Sequence, residues 1–396
     1  MSARFDVAII GGGLVGTSAA LSLARSGRSV VLLDKGFCGA QASGVNYGGV
    51  RRQGRPPEQL PLAQRAHGIW PELARLIGID GEFIRSGHLK LARDEADMAT
   101  LEAYAARVAE FGLDLELIGR NSLAERFGWV NSSLCGASFC AGDGHANPRL
   151  VASGFAIAAR RTGVDVREKT AVTGFLRLAE GFSLETETGA TFSVRYLVNA
   201  AGAWADTFAA LAGEPVPLTR IYPSMIVTEP VAPLMSVNIG MEGGGIYARQ
   251  APHGSCIIGG ERGAVLENPD FSRPTGEGAR TIMNRTAEIF PALKHAQAIR
   301  FWSGTEGAMP DRNPVLGLSS TMPGLIHAFG FTGAGFQLAP GVGEVIADLV
   351  RMGETNTAID AFSIDRFFAP TTKTARIPYG SGAGLLPQPE KTGVPS

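Results

Sequence analysis

The sequence has few cysteines, almost no net charge and no long hydrophobic run. Its 396 residues include 4 cysteines, and no two of them stand in a C-x-x-C or zinc-binding spacing. We therefore expect no metal site and a reducing compartment, the cytoplasm. A formal net charge of -1 gives no reason to expect nucleic acid as a partner. No stretch reaches the ~18 consecutive apolar residues that a membrane span needs.

The first 34 residues combine a glycine motif with the pattern of a strand, a helix and a second strand. Apolar residues 7–10 predict a buried strand, and Gly11, Gly13 and Gly16 follow it in the spacing G-x-G-x-x-G. The predicted second strand ends at Asp34, where a carboxylate can accept hydrogen bonds from a ribose. A tight turn, close backbone approach and a free helix N-terminus together suit a pyrophosphate. This stretch therefore predicts a dinucleotide-binding site.

The rest of the chain alternates between predicted strands and helices, and its length is typical of two domains. A helix over residues 60–77 is expected to be interrupted near Pro71, and another begins after Asn147. Residues 324–350 are expected to form a strand, a glycine turn and a helix. The tail is rich in Pro, Gly, Thr and Ser, which indicates a flexible segment or an arm against a partner.

Four separated motifs agree with one family. They are GGGLVG with Asp34, the ASG-x-N loop at 42–46, VNAAGAWAD at 198–206, and PDRNPVLG followed by GFTGAGFQLAPGVG. Together they resemble the D-amino-acid oxidase superfamily of FAD enzymes, over roughly residues 5–370. That superfamily includes glycine oxidase, sarcosine oxidases and D-amino-acid dehydrogenases. The GGVRRQ stretch resembles the β subunits of heteromeric sarcosine, proline, hydroxyproline and opine dehydrogenases.

The resemblance implies an α/β fold in which a Rossmann-like FAD-binding domain is interleaved with a mixed-sheet α+β substrate domain. The FAD-binding domain would take residues 1–81, 145–215 and 318–370. The substrate domain would take residues 82–144 and 216–317. The tail at 371–396 would be flexible or contact a partner.

The resemblance also implies which residues bind the cofactor. At the adenosine and phosphate end these are Gly11, Gly13, Gly16, Asp34, Lys35, Ser43, Gly44, Asn46 and, through its backbone, Val172. From the third strand–helix turn and the flavin side they are Ala200, Ala201, Gly202, Trp204, Gly330, Thr332, Gly333 and Gly335. A helix beginning near Gln337 would direct its N-terminal dipole at the negative charge of the reduced flavin.

The substrate side departs from the family pattern. Where many relatives have an arginine that clamps the substrate carboxylate, the alignment places Glu306, which indicates a cationic substrate group, a rearranged site or a solvated acid at a strand end. Arg51 and Arg52 are candidate replacement clamps, with a basic surface loop as the alternative. Tyr247 and Arg249 lie on a strand that resembles the pocket strand of glycine oxidase, with ordinary packing as the alternative for the tyrosine.

The resemblance implies an FAD-dependent oxidoreductase that removes hydride from the C–H next to the nitrogen of a small amino or imino acid. FAD would be bound non-covalently, because Ser303 and Gly304 stand near the cysteine attachment position of monomeric sarcosine oxidases. The alternative is an FAD-carrying β subunit that is active only with partner subunits. A nicotinamide-dependent dehydrogenase would leave GFTGAG and VNAAGAWAD unexplained. The electron acceptor, oxygen or another molecule, stays open.

Overall fold

The computed structural model describes residues 3–368, so the predicted tail at 371–396 lies outside the described residues. The α-helices are α1 (Leu14–Arg25), α2 (Ala42–Val45), α3 (Leu60–Ile69), α4 (Leu73–Ile77), α5 (Glu95–Val108), α6 (Arg120–Arg126), α7 (Pro148–Arg161), α8 (Ala205–Leu211), α9 (Gly276–Ile289) and α10 (Gly335–Met352). The strands are β1 (Ala3–Ile10), β2 (Val30–Leu33), β3 (Gly49–Val50), β4 (His88–Ala92), β5 (Glu116–Gly119), β6 (Gly136–Cys140), β7 (Gly144–His145), β8 (Asp165–Arg167), β9 (Val172–Arg177), β10 (Phe182–Thr186), β11 (Thr191–Asn199), β12 (Thr219–Ile221), β13 (Pro223–Pro230), β14 (Asn238–Met241), β15 (Tyr247–Gln250), β16 (Ser255–Arg262), β17 (Ala264–Val265), β18 (Ser272–Arg273), β19 (Ala298–Ser303), β20 (Glu306–Ala308), β21 (Val315–Leu318) and β22 (Leu325–Phe329).

The first sheet is mostly parallel and follows the order β21-β22-β11-β1-β2-β8, with β10 and β9 added to β11. β1 pairs in parallel with both β2 and β11, and β11 pairs in parallel with β22. β2, β22 and the second half of β1 are fully buried and rich in Val, Ile and Leu, as expected for a sheet covered on both faces. The predicted α/β fold is confirmed.

Helix α1 packs against α10, although more than 300 residues separate them in the chain. Their contact is close, because a side chain at Gly343 would begin 2.6 Å from the backbone of Ser18. Leu14, Leu338 and Val342 lie in the same buried cluster. The N-terminal unit is therefore supported by α10, the last α-helix of the described chain.

The second sheet is mixed and follows the order β19-β13-β16-β15-β14-β4-β6-β5. Its residues alternate between two faces, as the pleat of a strand requires. One face carries apolar side chains that form a buried core with α9, among them Leu89, Ile239 and Ile258. The opposite face, called the inner face below, carries polar side chains and is covered by residues 47–55.

The two sheets are built from interleaved segments of the chain. β4, β5 and β6 come from the middle of the first half, whereas β13 to β16 and β19 come from the second half. β21 pairs with β22 and so belongs to the first sheet. The predicted substrate-domain limit at residue 317 therefore falls inside a strand of the first sheet. None of the helices in residues 3–368 combines the length and the apolar composition required to cross a bilayer.

Candidate active site

The first glycine turn, residues 11–16, leaves no room for side chains at two positions. Gly11 has a φ of 104°, and a side chain there would begin 2.3 Å from the carbonyl oxygen of Ala200. A side chain at Gly16 would begin 1.9 Å from the carbonyl oxygen of Gly11. The turn after β1 thus contacts both α1 and the turn after β11, and larger residues would separate these elements.

The N-terminus of α1 is open to an anion. Gly13 occupies the N-cap position without a capping side chain, and the first turn contains no acidic residue. The N–H of Leu14 donates to Ser43 Oγ at 2.8 Å. The remaining N–H groups of this turn and the dipole of α1 fit the phosphates of a dinucleotide.

Asp34 lies at the end of β2, beside this turn. Its carboxylate accepts hydrogen bonds from the N–H groups of Gly12, at 2.6 Å, and Gly36, at 2.7 Å. Its own carbonyl oxygen accepts the N–H of Thr170 at 2.8 Å, and Val172 begins β9 two residues later. The structure therefore brings Asp34 and Val172 to the same edge of the first sheet. These residues fit a dinucleotide, although direct contacts to a ribose and an adenine stay predictions.

The loop at 42–46 divides its polar groups between the first glycine turn and its own backbone. Ser43 contacts α1, as described, whereas a side chain at Gly44 would begin 2.2 Å from the carbonyl oxygen of Gly39. The amide of Asn46 donates to the carbonyl oxygens of Ala42 and Ser43, at 3.0 and 2.7 Å, and accepts the N–H of Gly48 at 2.8 Å. Asn46 thus holds the shape of the loop.

Lys35 and Trp204 are brought together by a third residue, Asp270. Asp270 lies between β17 and β18, forms an ion pair with Lys35 and accepts a hydrogen bond from the indole N–H of Trp204. The Lys35 ammonium also lies 3.7 Å from the centre of the Trp204 ring. The hairpin of the second half of the chain therefore covers this part of the first sheet. The roles of Lys35, Trp204 and the neighbouring Ala201 and Gly202 toward a cofactor stay predictions.

The second glycine turn, residues 330–335, connects β22 to α10. Gly330, Thr332 and Gly333 all have positive φ angles, of 73°, 47° and 79°. The Thr332 hydroxyl stabilises this backbone, because it donates to the carbonyl oxygen of Gly330 and accepts the N–H of Met309, both at 3.0 Å. Helix α10 begins at Gly335, two residues before the predicted start, and its first turn contains no acidic residue.

Two charged residues contact the backbone of Gly333. The carboxylate of Glu306 accepts the Gly333 N–H, and Arg55 Nη1 lies 3.5 Å from the Gly333 carbonyl oxygen. Burial raises the pKa of Glu306, while the Gly333 N–H and the charge of Arg55 act in the opposite direction. Glu306 therefore bonds to the second glycine turn, unlike a solvated acid at a strand end.

The inner face of the second sheet contacts the loop that follows Asn46. The rings of Tyr47 and Tyr247 meet edge to face with their centres 5.0 Å apart. Arg249 Nε donates to the Tyr47 carbonyl oxygen at 2.6 Å, and the Gln53 amide donates to the His88 carbonyl oxygen at 2.9 Å. Tyr247 is thus part of the surface that packs against residues 47–55, and its pKa is raised first by burial and then by the charge of Glu306.

Arg51 and Arg52 have different environments. The Nε of Arg52 lies 3.2 Å from the carboxylate of fully buried Asp143, and Arg52 Nη1 donates to Gln64 Oε1 at 2.8 Å. Arg51 Nη1 donates to the carbonyl oxygen of Gln53 at 2.5 Å. Among the ion pairs formed within residues 3–368, none involves Arg51. Arg52 is therefore bound by an acid and an amide of the fold, whereas Arg51 donates to a backbone carbonyl oxygen.

Three charged residues of this region were not predicted from the sequence. Arg55 is only 4% exposed, and Lys90 on β4 forms an ion pair with Glu242, which is 6% exposed. Arg55 stands in the same basic stretch as Arg51, so the sequence could have indicated it as a further candidate of this region. Lys90 alternates with apolar residues along β4, which indicates the polar face of that strand. Nothing in the sequence relates Glu242 to Lys90.

Comparison with known proteins assigns nearly the whole chain to the kind of enzyme that the sequence motifs indicate. The sequence model of the family of FAD-dependent oxidoreductases known as DAO matches residues 6–349. A glycine oxidase of Geobacillus kaustophilus is 28% identical over 375 residues, covering 92% of this chain and 98% of that protein. One of the subunits of the opine oxidase of Rhizobium meliloti is 28% identical over 379 residues, with 92% and 98% covered.

Solved structures share the fold. The crystal structure of a glycine oxidase from Geobacillus kaustophilus matches with a TM-score of 0.86 and 27% identity, covering 92% of this chain and 99% of that one. The crystal structure of an L-proline dehydrogenase from P. horikoshii matches with a TM-score of 0.84 and 28% identity, with 93% and 99% covered.

Proposed function

The chain belongs to the family of FAD-dependent oxidoreductases, and on that basis we propose that it oxidises the C–N bond of a small amino or imino acid. The observation that supports this substrate class most is the contact of Arg55 and Glu306 with Gly333. Fixed charges of both signs at one turn suit a molecule that carries an amine and a carboxylate. The names of the two relatives, a glycine oxidase and an opine oxidase, agree with this class.

FAD would be held by the two glycine turns and supplies, when bound, an acceptor for the hydride that leaves the carbon next to the amine. The first glycine turn and Ser43 would hold its phosphates, and Asp34 its ribose. The N-terminus of α10 offers the positive end of its dipole to the negative charge that reduction creates. The absence of side chains at Gly333 and Gly335 would allow close approach of the ring.

Arg51 is the residue that we propose as carboxylate clamp, in preference to Arg52. The proposal is supported by the ion pair of Arg52 with Asp143. Of the two arginines, Arg51 is then the one with only a backbone partner. Tyr247 would line the substrate side from the inner face. Glu306 would position the second glycine turn through its bond with the Gly333 N–H.

The test is a substrate screen with the purified chain. We expect a yellow protein whose flavin is released intact as FAD by acid denaturation, and whose absorbance near the flavin band is bleached anaerobically by a subset of amino or imino acids. Gly11→Val is the matched control, because its side chain would collide with Ala200 and should remove the flavin. A colourless wild-type protein, or a yellow one that no amine bleaches, would contradict the proposal.

A partner-dependent subunit is the second candidate, supported by the 28% identity to one of the subunits of an opine oxidase. The chain would then carry FAD and work only in a hetero-oligomer. Turnover of the purified chain with an artificial electron acceptor separates the two candidates. Turnover at the rate of a complete enzyme would reject the second one. Flavin bleaching without sustained turnover would support it.

Cytoplasmic location and non-covalent FAD also stay proposals. All four cysteines are free, which suits a reducing compartment. Flavin that remains with the precipitated protein after acid treatment would reject non-covalent binding.

A further inference from the structure

A group of cations gathers between residues 51–55 and the inner face of the second sheet. Its members, called the cation cluster below, are Arg51, Arg55, Lys90 and Arg312. Arg51 Nη1 and Lys90 Nζ converge on Gly54, lying 3.1 and 3.7 Å from the point where a side chain at Gly54 would begin. Arg55 connects this group to the second glycine turn, because its guanidinium lies against the carbonyl oxygens of Arg51, at 3.2 Å, and Gly333, at 3.5 Å.

The acidic side chains described beside Arg51, Arg55 and Lys90 already have partners of their own. Glu242 forms an ion pair with Lys90, and Asp143 is occupied by Arg52. The other nearby acid, Glu306, bonds to the backbone of Gly333. Among the described ion pairs, Arg51 and Arg55 take part in none, and both use backbone carbonyl oxygens as acceptors.

Burial makes a positive charge without an acidic partner costly. Arg55 is 4% exposed, and an unneutralised charge loses its hydration when it is buried. Burial lowers the pKa values of Arg55 and Lys90, and the neighbouring charges of Arg51 and Arg312 lower them further, against the opposing effect of Glu242 on Lys90. Guanidinium groups in such a position suit planar carboxylates, to which they can donate two parallel hydrogen bonds.

We propose that the cation cluster binds a dicarboxylate amine, in which Arg51 clamps the carboxylate of the amino acid and Arg55 neutralises a second carboxylate. This inference rests on the proposed function, because it names the substrate of the same site. A single carboxylate would neutralise one of the cations that lack an acidic partner, whereas a second carboxylate would neutralise another. The second carboxylate can stand on the nitrogen substituent or on an acidic side chain, and both sources present the same group to the cluster.

Binding to the flavin-loaded protein is the primary test, because it does not require turnover. Thiodiacetate and (methylthio)acetate are matched probes: a thioether replaces the amine in both, and they carry two carboxylates and one. We expect calorimetry to show that thiodiacetate binds at least about tenfold more tightly at low ionic strength, the scale of one charge-assisted hydrogen bond. Added salt should reduce the difference.

Variants test whether the preference for thiodiacetate arises at the cation cluster. Arg51→Gln should remove most of this preference. Arg285→Gln is the charge-matched control, because Arg285 lies on α9, on the other side of the second sheet, and pairs with Glu261. It should keep the preference. If Arg51→Gln does not give folded yellow protein, the relative affinity of the wild type for the two probes decides whether the proposal holds. Equal affinity of the probes, or sulfate binding as tightly as thiodiacetate, would overturn the proposal.

Turnover then distinguishes the source of the second carboxylate and separates this inference from the proposed function. Iminodiacetate against sarcosine tests a carboxylate on nitrogen, and the enantiomers of aspartate against those of alanine test one on the side chain. Preferred thiodiacetate binding without oxidation of any amine would sustain the dicarboxylate site and reject the proposed function. Oxidation of monocarboxylate amines, with no preference for thiodiacetate, would support the proposed function and reject the dicarboxylate site.

Discussion

Replacing Glu214 by glutamine should change how the stability of the protein depends on pH. Glu214 is fully buried, and its carboxylate accepts hydrogen bonds from Ser319 Oγ at 2.7 Å, from the N–H and Oγ of Ser320 at 2.7 and 2.8 Å, and from His327 Nε2 at 2.9 Å. Although burial acts to raise its pKa, these four bonds lower it to about 2, from an ordinary value of 4.5.

The neighbours of His327 define which of its ring nitrogens carries the proton. The amide nitrogen of Asn199 lies 3.3 Å from His327 Nδ1 and 2.9 Å from the carbonyl oxygen of Ala205. Because that nitrogen can only donate, Nδ1 accepts, and Nε2–H donates to Glu214. Asn199 precedes the turn at residues 200–202, and β22 leads into the second glycine turn. The network therefore also supports two turns of the candidate active site.

The size of the effect follows from the lowered pKa. A group whose pKa is lower in the folded state contributes stability above its unfolded pKa and loses it as the pH falls through the folded value. For Glu214 that window runs from about pH 5 to about pH 2, and the contribution is about 3 kcal/mol at neutral pH. At ~2 cal/mol/K per residue, this corresponds to a decrease of roughly 4 °C in the melting temperature of Glu214→Gln.

Melting temperatures of wild type and Glu214→Gln, followed by tryptophan fluorescence from pH 7 to pH 2.5, test this reasoning. The difference between them should be largest at neutral pH and shrink as the pH falls. Glu187→Gln, which removes an exposed carboxylate, is the control for the general effect of charge. A difference that stays constant over the whole range would refute the reasoning, because it would show that Glu214 is not ionised in the folded protein.

Two further predictions concern the candidate active site. Asp34→Ala should weaken FAD binding by about 1–3 kcal/mol in a fluorescence titration of apoprotein, because the N–H groups of Gly12 and Gly36 lose their acceptor, and the order of substrates should not change; an unchanged affinity would leave Asp34 without a role at the cofactor. Arg52→Gln should reduce the free energy of unfolding by about 3 kcal/mol, because Asp143 keeps a buried charge without its cation. A fall in kcat/KM with unchanged stability would instead make Arg52 a substrate ligand.

The spacing of the first glycine turn could be predicted from the sequence because part of its constraint is local. A side chain at Gly16 would begin 1.9 Å from the carbonyl oxygen of Gly11, five residues earlier, whereas the close contact of Gly11 with Ala200 joins distant segments. The interruption near Pro71 and the helix start after Asn147 were predicted for the same reason, and the structure has both. These features depend on residues only a few positions apart.

The substrate side could not be predicted to the same depth, because its contacts join distant segments. Arg51 and Arg52 are adjacent and chemically identical in sequence, and only the position of Asp143, about 90 residues later, distinguishes them. The pairing of Lys90 with Glu242 spans about 150 residues. No local pattern encodes such pairs, which arise when β4 and β14 are placed side by side in the second sheet.

The packing of α1 against α10 has a consequence for the order in which the protein can fold during synthesis. The N-terminal unit leaves the ribosome first, yet the apolar surface of α1, which α7 covers in part, is covered completely only when residues near 343 have been made. Until then α1 and β1 expose apolar side chains for most of the time that translation takes. Contacts of such long sequence separation also slow the final folding step. We therefore expect the nascent chain to bind chaperones, and loss of α10 to remove the packing partner of α1, the helix that follows the first glycine turn.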